Sequence, residues 1–180
     1  MNERKHPLPT VERIRALFHY DPITGIFITK LSRKTGQGEA GRTVGALDAR
    51  GHLFARVDGK HYKLHRLAWV YMTGEWPKNM IDHKDSVGDN NAWENLRECT
   101  NGENQMNKGP HINNRLGVKN VSQMKNGDFK ATVQAYGNVH TKVFKDLGEA
   151  SEWAKQKREE LHGEFARHTA ALTKPEEAKS

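Results

Sequence analysis

The chain has 180 residues, enough for one compact domain or two small ones, and its 35% hydrophobic content predicts small cores. Lys and Arg number 29 against 22 Asp and Glu, a net charge of +7, which favours a polyanionic partner over a basic surface without a specific ligand. The single cysteine, Cys99, excludes an intrachain disulfide framework and a cysteine-based zinc site and is typical of a reducing cytoplasm. The sequence contains neither a membrane-spanning run nor a recognisable secretory signal.

The first elements are predicted to be a short helix, a turn and a strand. Thr10 is a suitable N-cap for a helix over 11–18, whose apolar residues recur at helical spacing. Pro22 and Gly25 mark a turn, and 26–31 has the composition of a strand.

A glycine-rich loop over 32–45 precedes a predicted β-hairpin. The loop is too polar to build a core, so it either follows a phosphate backbone or is a solvated, mobile loop, and the sequence does not separate these interpretations. Its candidate DNA contacts are Arg33, Lys34 and Arg42. Asp58-Gly59 lies between two strand-like runs, 51–57 and 61–64, which is a strong hairpin signal.

A helix with an apolar face is predicted after the hairpin. Five side chains share that face and are interpreted as core: Leu64, Leu67, Ala68, Tyr71 and Met72. Gly74 and Pro77 end the helix. On the same helix, His65 is interpreted as a buried hydrogen-bonding residue and Arg66 as a candidate phosphate contact.

Polar side chains concentrate in the stretch 81–108, where the sequence predicts a strand, an Asp- and Asn-rich loop, a second strand and a helix capped by Thr100 or Asn101. The first strand ends in Asp82 and His83. Adjacent residues of a strand point to opposite sides, so joint action of these two side chains requires an irregular strand end.

Three side chains of this stretch form a candidate site for phosphodiester hydrolysis: Asp82, His83 and Asn104. A carboxylate and an amide oxygen suffice to hold one Mg²⁺ or Mn²⁺ ion that keeps several waters, and such an ion neutralises charge on the phosphate. A neutral His83, with an unperturbed pKa of about 6.5, suits a general base that deprotonates the attacking water. Asn95 either orders this region or locks the two strands together.

The segments DHKD, NL and EN, with HRLAW and a G-x-x-P turn upstream, resemble the HNH nuclease family, in particular phage and intron-type homing endonucleases. The resemblance covers 20–108. It implies an α+β fold with a ββα-metal core, one divalent cation, and nicking or double-strand cleavage of DNA. By motif position it implies that His83 is the general base, Asp82 and Asn104 the metal ligands, and Asn95 the middle Asn. Asn at the last position favours an oxygen-binding ion over zinc.

A three-stranded sheet and a helix are predicted after a linker over 109–115. The predicted elements are strands over 118–123, 128–136 and 139–144, with turns at Asn126-Gly127 and Gly137-Asn138, and a helix over 147–163. The face with Lys130, Thr132 and Gln134 is expected to meet DNA, and the alternate face to pack on the helix. The candidate DNA contacts here are Lys108, Arg115, Lys119, Lys125, Lys130 and Lys142.

GVKNV, GDFKATV and VFKDLGEASEWAKQKREELHGEFA, in that order, resemble the DNA-binding domain of plant ethylene-response regulators, which also occurs fused to phage HNH nucleases. The plant domain recognises bases mostly with Arg and Trp. The strands here carry Lys, Gln and Thr instead, so the unit either recognises specific DNA or adds nonspecific affinity.

The sequence therefore predicts a metal-dependent DNA endonuclease encoded by a phage or mobile element. We expect it to act in the cytoplasm of a bacterial host, as a monomer or homodimer. The expected domains are an N-terminal extension over 1–19, a nuclease domain over 20–109, a DNA-binding domain over 110–168 and a disordered tail over 169–180. A non-catalytic DNA-binding protein on the same scaffold is the alternative. An RNA nuclease is disfavoured because the sequence shows no exposed aromatic platform.

Overall fold

The computed structural model describes residues 7–31, 40–109 and 114–166 of the chain. Contacts divide the chain into two compact units, Met1–Glu98 and Cys99–Ser180. Each unit combines helices with short antiparallel strands, so the expected α+β class is confirmed. The structural boundary falls between Glu98 and Cys99, and the functional division at residue 109 stays a prediction.

Helix α1 opens the first unit and spans Val11–Leu17. Its N-cap is Thr10, as predicted, whose hydroxyl accepts a hydrogen bond of 3.2 Å from the Arg13 amide. The prediction that Phe18 belongs to the helix was wrong by one residue. Phe18 has extended backbone angles and pairs with Thr29, so it begins the first strand instead.

Two three-stranded antiparallel sheets follow in the first unit. One has the order β1-β2-β3, formed by Phe18–Tyr20, Phe27–Thr29 and Thr43–Val44. The other has the order β4-β5-β6, formed by Ala46–Leu47, Leu53–Val57 and Lys60–Lys63. The segment predicted as a loop therefore contains a strand, because the β-branched Thr43 and Val44 pair with Ile28 and Phe27.

The Asp58-Gly59 hairpin is confirmed. Both residues have positive φ, 46° and 87°, as a two-residue turn of type I′ requires. Val57 and Lys60 are the paired residues that flank the turn. Arg13 of α1 forms an ion pair of 2.6 Å with the Asp58 carboxylate, so the turn also contacts the N-terminal helix.

Helix α2 spans Leu64–Thr73 and ends at Gly74, whose φ of 83° gives the left-handed C-cap that glycine favours. Leu64, Leu67 and Ala68 are buried, as predicted, whereas Met72 is 39% exposed. At about 100° per residue Met72 falls on the buried side of the helix, between Ala68 and His65, but it lies in the last turn of α2, where it is left exposed.

Strands β7, Met80–His83, and β8, Leu96–Cys99, form a two-stranded sheet. A short 3-10 turn, Trp93–Asn95, leads into β8. Ile81 and Leu96 belong to the same buried cluster as α2 and the first sheets. The core of the first unit therefore holds the strand end that carries Asp82 and His83.

The second unit contains helix α3, a three-stranded sheet and helix α4. These elements are α3 over Asn101–Asn107, β9 over Val121–Gln123, β10 over Phe129–Ala135, β11 over Asn138–Phe144 and α4 over Leu147–His162. The sheet order is β11-β10-β9, and Ala131 and Val133 of β10 pack with Ala150 and Ala154 of α4. The predicted alternation of faces on this sheet is thus confirmed.

The turn between β10 and β11 consists of Tyr136 and Gly137, not of Gly137 and Asn138 as predicted. Ala135 pairs with Asn138, which leaves Tyr136 and Gly137 as the two loop residues. Their φ values are 49° and 85°, so Tyr136 adopts the left-handed conformation that the sequence pattern assigned to Asn.

Within the described parts of the chain, no helix combines the length and the apolar character that crossing a lipid bilayer requires.

Candidate active site

Asp82 and His83 lie at the end of β7 and are buried, with 8% and 4% of their surfaces exposed. The chain turns immediately after them, because the Ser86 amide donates to the His83 carbonyl at 2.9 Å and Ser86 has a φ of 60°. His83 is still the last residue of β7, so the irregular backbone begins after the pair and the joint action of the two side chains stays a prediction. The two side chains have different neighbours.

Asn91 contacts the His83 ring and was not found by sequence reasoning. Its Oδ1 lies 3.3 Å from Nε2 of His83, and Asn91 is almost fully buried. The Asn91 Nδ2 donates to the Asp89 carbonyl, which directs Oδ1 towards the ring. An amide oxygen only accepts, so Nε2 carries the hydrogen and Nδ1 carries the lone pair. Two adjacent asparagines at 90–91 indicated a polar contact in this loop, but composition alone does not say which of them faces the His83 ring.

Asn95 makes several hydrogen bonds to the loop between β7 and β8, and its part in the chemistry stays a prediction. Its amide nitrogen donates to the Asp85 carboxylate at 2.9 Å and to the Asn90 carbonyl at 2.8 Å, and its oxygen accepts from the Asp85 amide at 3.0 Å. Its backbone carbonyl accepts from the Lys84 amide. Asn95 therefore fixes the loop between β7 and β8, which in turn fixes Asn91 against His83.

Three imidazole rings pack together in the first unit. The ring centroids of His65 and His83 lie 5.0 Å apart, and His52 lies 5.5 Å from His65 and 5.8 Å from His83. His65 is buried, as predicted, but its Nδ1 has no hydrogen-bond partner among the described residues. Nδ1 therefore does not make the predicted hydrogen bond, and the His65 ring instead packs against the other two imidazoles. His52 was not singled out from the sequence.

Burial keeps this cluster neutral. It lowers the pKa of His65 to about 3, with the neighbouring His83 and His52 as smaller causes. Burial also lowers the pKa of His83, while the hydrogen bond that His83 donates to Asn91 acts in the opposite direction and raises it. The pKa of His52 is lowered by burial and then by Arg50. All three rings are therefore neutral near pH 7, the state that a general base requires.

Asp82 forms a buried ion pair with Arg97 of β8. Nε and Nη2 of Arg97 donate to Oδ2 of Asp82 at 3.0 Å and 2.9 Å. Both side chains are less than 10% exposed, so neither charge is compensated by bulk water. The sequence did not predict this pairing, because nothing in a strand pattern says which basic residue faces a carboxylate on the neighbouring strand.

The predicted metal ligands, Asp82 and Asn104, offer oxygen atoms, the ligand type that Mg²⁺ prefers. Among the residues that the structure describes, no group of three or more His, Cys, Asp or Glu side chains is arranged to hold a metal ion, so a closed zinc cage is absent there. Mg²⁺ needs few protein ligands because it retains water. A carboxylate offers several lone pairs, so Asp82 can contact Arg97 and still serve as a ligand.

Asn104 lies on α3 in the second unit. Thr100 caps this helix and forms a capping box with Glu103, so the predicted cap is confirmed. Because Asn104 and Asp82 belong to different units, their convergence on one ion stays a prediction.

The predicted DNA contacts differ in exposure. Arg42, Lys108, Arg115, Lys125, Lys130 and Lys142 are exposed, and Arg33 and Lys34 lie outside the described residues. Arg66 donates to the Asn79 carbonyl at 3.4 Å and lies over the Trp76 ring, so it also supports the fold. Lys119 is buried, and its Nζ donates to the Met106 carbonyl at 2.5 Å, which is a structural contact rather than an exposed one.

Comparison with known proteins adds two findings. A family model described as HNH endonuclease matches residues 62–106, which include β7, β8 and most of α3. Protein 3.8 of Escherichia phage T7 is 37% identical over 105 residues, which cover 57% of this chain and 87% of the phage protein. No solved structure matches the chain significantly. The chain therefore carries an HNH endonuclease domain and belongs to the family that includes Protein 3.8 of phage T7.

Proposed function

We propose that this protein is a metal-dependent DNA endonuclease of the phage or mobile-element type, with His83 as the general base. The observation that carries the proposal is the state of His83: a buried, neutral imidazole whose Nε2 is held by Asn91, within a matched HNH endonuclease domain. Such a ring has its lone pair on Nδ1 and accepts a proton from water without first having to lose one.

The other residues of the site support this step. Asn95 and Asp85 hold the loop that carries Asn91, so the His83 ring keeps one orientation. Asp82 and Asn104 are the proposed ligands of one Mg²⁺ or Mn²⁺ ion. Such an ion, when bound, neutralises charge on the phosphate and the departing oxygen. When no metal ion is bound, the Arg97 guanidinium neutralises the Asp82 carboxylate and holds it in place.

Double-stranded DNA is the proposed substrate and partner. Arg42 and the exposed lysines of the second unit supply positive charge for phosphate contacts, and the net charge of +7 agrees with a polyanion. One such site cuts one strand, so a monomer is expected to nick DNA unless two copies meet on the target.

A plasmid-nicking assay tests this function. Wild-type protein with Mg²⁺ is expected to relax supercoiled plasmid carrying the native target, and EDTA is expected to abolish cutting. His83→Gln is expected to lower the rate by about 10²- to 10⁴-fold, the usual contribution of a general base. His19→Gln is the matched control, since His19 is exposed on β1.

A second candidate is a non-catalytic DNA-binding protein on the same scaffold. It is favoured by the Arg97 guanidinium, which already occupies Oδ2 of Asp82. If folded wild-type protein cuts no DNA with Mg²⁺ or Mn²⁺, including its native target, and still binds duplex DNA, the second candidate replaces the first.

A further inference from the structure

Asp82, a proposed metal ligand, has a full counter-charge within hydrogen-bond distance. Nε and Nη2 of Arg97 both donate to Oδ2 of Asp82, at 3.0 Å and 2.9 Å. The two residues lie on the paired strands β7 and β8, and each is 8% exposed. The carboxylate and the guanidinium therefore form a buried pair whose net charge is zero.

Burial makes this compensation of charge strong. Exclusion of water lowers the effective dielectric constant from about 80 to about 20, so charges interact about four times more strongly than in bulk water. The rule applies to repulsion as well as to attraction. A divalent cation at the Asp82 carboxylate is attracted by that group and repelled by the Arg97 guanidinium beside it.

The described neighbours of the pair supply little further negative charge. Burial keeps the imidazole of His83 neutral, and the amide of Asn91 that contacts it is uncharged. The Asp85 carboxylate accepts hydrogen bonds from the side chains of Asn90 and Asn95, at 2.6 Å and 2.9 Å, and holds the loop between β7 and β8. Asp85 is also exposed, so water and salt screen its charge.

A DNA phosphate supplies the charge that the free protein lacks. Each phosphodiester of the backbone is negatively charged. Mg²⁺ is usually held by one or two carboxylates together with phosphate oxygens of the substrate, and it retains several waters. The ion therefore meets a negatively charged site when protein and DNA are together, and a nearly neutral one when the protein is alone.

We infer that Arg97 makes metal binding conditional on DNA. It cancels the Asp82 charge in the free protein, so the site holds a divalent cation tightly only when a DNA phosphate lies beside it. This inference rests on the proposed function, because it takes Asp82 as a metal ligand and duplex DNA as the substrate. It adds an order of binding, DNA before metal, and it gives the buried ion pair a role in an active enzyme.

A purely structural role for Arg97 leads to the opposite expectation for the metal. A buried ion pair adds little net stability compared with well-packed apolar side chains, but the loss of one partner is costly. If Arg97 only joins β7 to β8, its replacement lowers the stability of the protein and leaves the affinity for metal unchanged or lower. If Arg97 opposes the metal, its replacement raises that affinity.

Mn²⁺ binding measured by electron paramagnetic resonance tests the inference, because the signal of free Mn²⁺ decreases as the ion is bound. The parent protein is the full-length His83→Gln chain, so that DNA stays uncut. DNA alone and the parent with Asp82→Asn measure the Mn²⁺ that binds elsewhere. A duplex carrying the native target is expected to tighten Mn²⁺ binding at Asp82 by about tenfold or more.

Variants of the parent test whether the Arg97 charge is the cause. Arg97→Gln keeps a hydrogen-bond donor but removes the charge, and it is expected to tighten Mn²⁺ binding to the free chain by about tenfold or more. Arg97→Lys keeps the charge and is expected to leave that affinity nearly unchanged. Arg13→Gln is the matched control: it also frees a carboxylate, Asp58, from an ion pair of 2.6 Å, but at an exposed turn, and it is expected to create no Mn²⁺ site.

Thermal midpoints identify the variants that fold. The comparison of the parent with and without DNA needs no Arg97 variant, so it tests the inference even if Arg97→Gln does not fold.

Two results overturn the inference and leave the proposed function standing: Mn²⁺ binding to the free parent as tight as to its DNA complex, and an Arg97→Gln affinity that is no higher than that of the parent or is matched by Arg97→Lys. Cleavage by the wild-type protein is measured separately. Absence of Mn²⁺ binding at Asp82 both with and without DNA overturns the inference together with the proposed metal-dependent function, in favour of the non-catalytic DNA-binding protein.

Discussion

His65 shows how strongly burial controls chemistry at the level of one residue. Its ring contacts two other imidazoles, and a proton on His65 places a positive charge in a buried site, which is costly. The same environment keeps His83 neutral and ready to accept a proton. His65 thus belongs to the surroundings that set the state of the proposed base, although no substrate contact is assigned to it.

His65 is expected to make the stability of the protein depend on pH. Its folded pKa of about 3 is below the unfolded value of about 6.5, so below pH 6.5 the unfolded chain binds a proton that the folded chain does not. Stability is therefore complete above pH 6.5 and falls as the pH decreases towards 3. The loss from His65 alone is about 1 kcal/mol between pH 6 and pH 5.

Urea unfolding of wild type and His65→Gln at pH 7, 6 and 5 measures this effect. The variant is expected to start less stable, because a packed ring is lost, but to show a smaller decrease with acidity. Parallel decreases in the two proteins would contradict the role assigned to His65.

Helix α3 depends on local interactions for part of its stability. It has seven residues, fewer than an isolated helix needs to be stable, and it carries the proposed ligand Asn104. The capping box supplies part of the stabilisation that so short a helix lacks. The Thr100 hydroxyl accepts from the Glu103 amide at 3.3 Å, and the Glu103 carboxylate accepts from the Thr100 amide at 2.8 Å.

Thr100→Ala is expected to destabilise the protein by about 1 kcal/mol, because the Glu103 amide loses its acceptor. The midpoint and slope of chemical unfolding measure the change, and faster amide exchange is expected in α3. Glu103→Gln is the control, since an amide oxygen still accepts from Thr100 and a smaller loss follows. An unchanged free energy of unfolding for Thr100→Ala would show that the cap contributes nothing to α3.

On the scale of the whole molecule, charge distribution matters more than net charge. Exposed cations are found in both units, at Arg42 in the first and on the sheet of the second, while the acids of the second unit concentrate on α4. Duplex DNA releases condensed counterions when such cations contact its phosphates, which makes binding weaken with salt.

Binding to a fixed duplex is therefore expected to fall linearly in a plot of log affinity against log salt, with a slope of about −0.9 for each phosphate contacted. Lys130→Ala and Lys142→Ala are each expected to reduce the slope by about 1, and Lys155→Ala on α4 to leave it unchanged. Fluorescence anisotropy across a salt series measures the slope. A flat response would remove nucleic acid as the partner.

Local patterns predicted much of the fold because their physical causes are local. Asp58-Gly59, the Thr100 cap and the Gly74 helix end depend on the conformational preferences of neighbouring residues, and all three are confirmed. Two of the errors occurred where pairing partners distant in sequence decide the outcome. Phe18 left its helix to pair with Thr29, and Thr43 formed a strand with Ile28.

The sequence by itself determined the α+β class, most of the element order and the candidate residues Asp82, His83 and Asn95, because periodicity, turn residues and motif spacing follow the chain. Only the tertiary structure decided that Asn91 holds the His83 ring, that Arg97 pairs with Asp82, and that His52 and His65 surround the proposed base. These contacts join side chains whose distances depend on how the sheets and α2 pack. Burial, which sets the pKa of each histidine, exists only once that packing is complete.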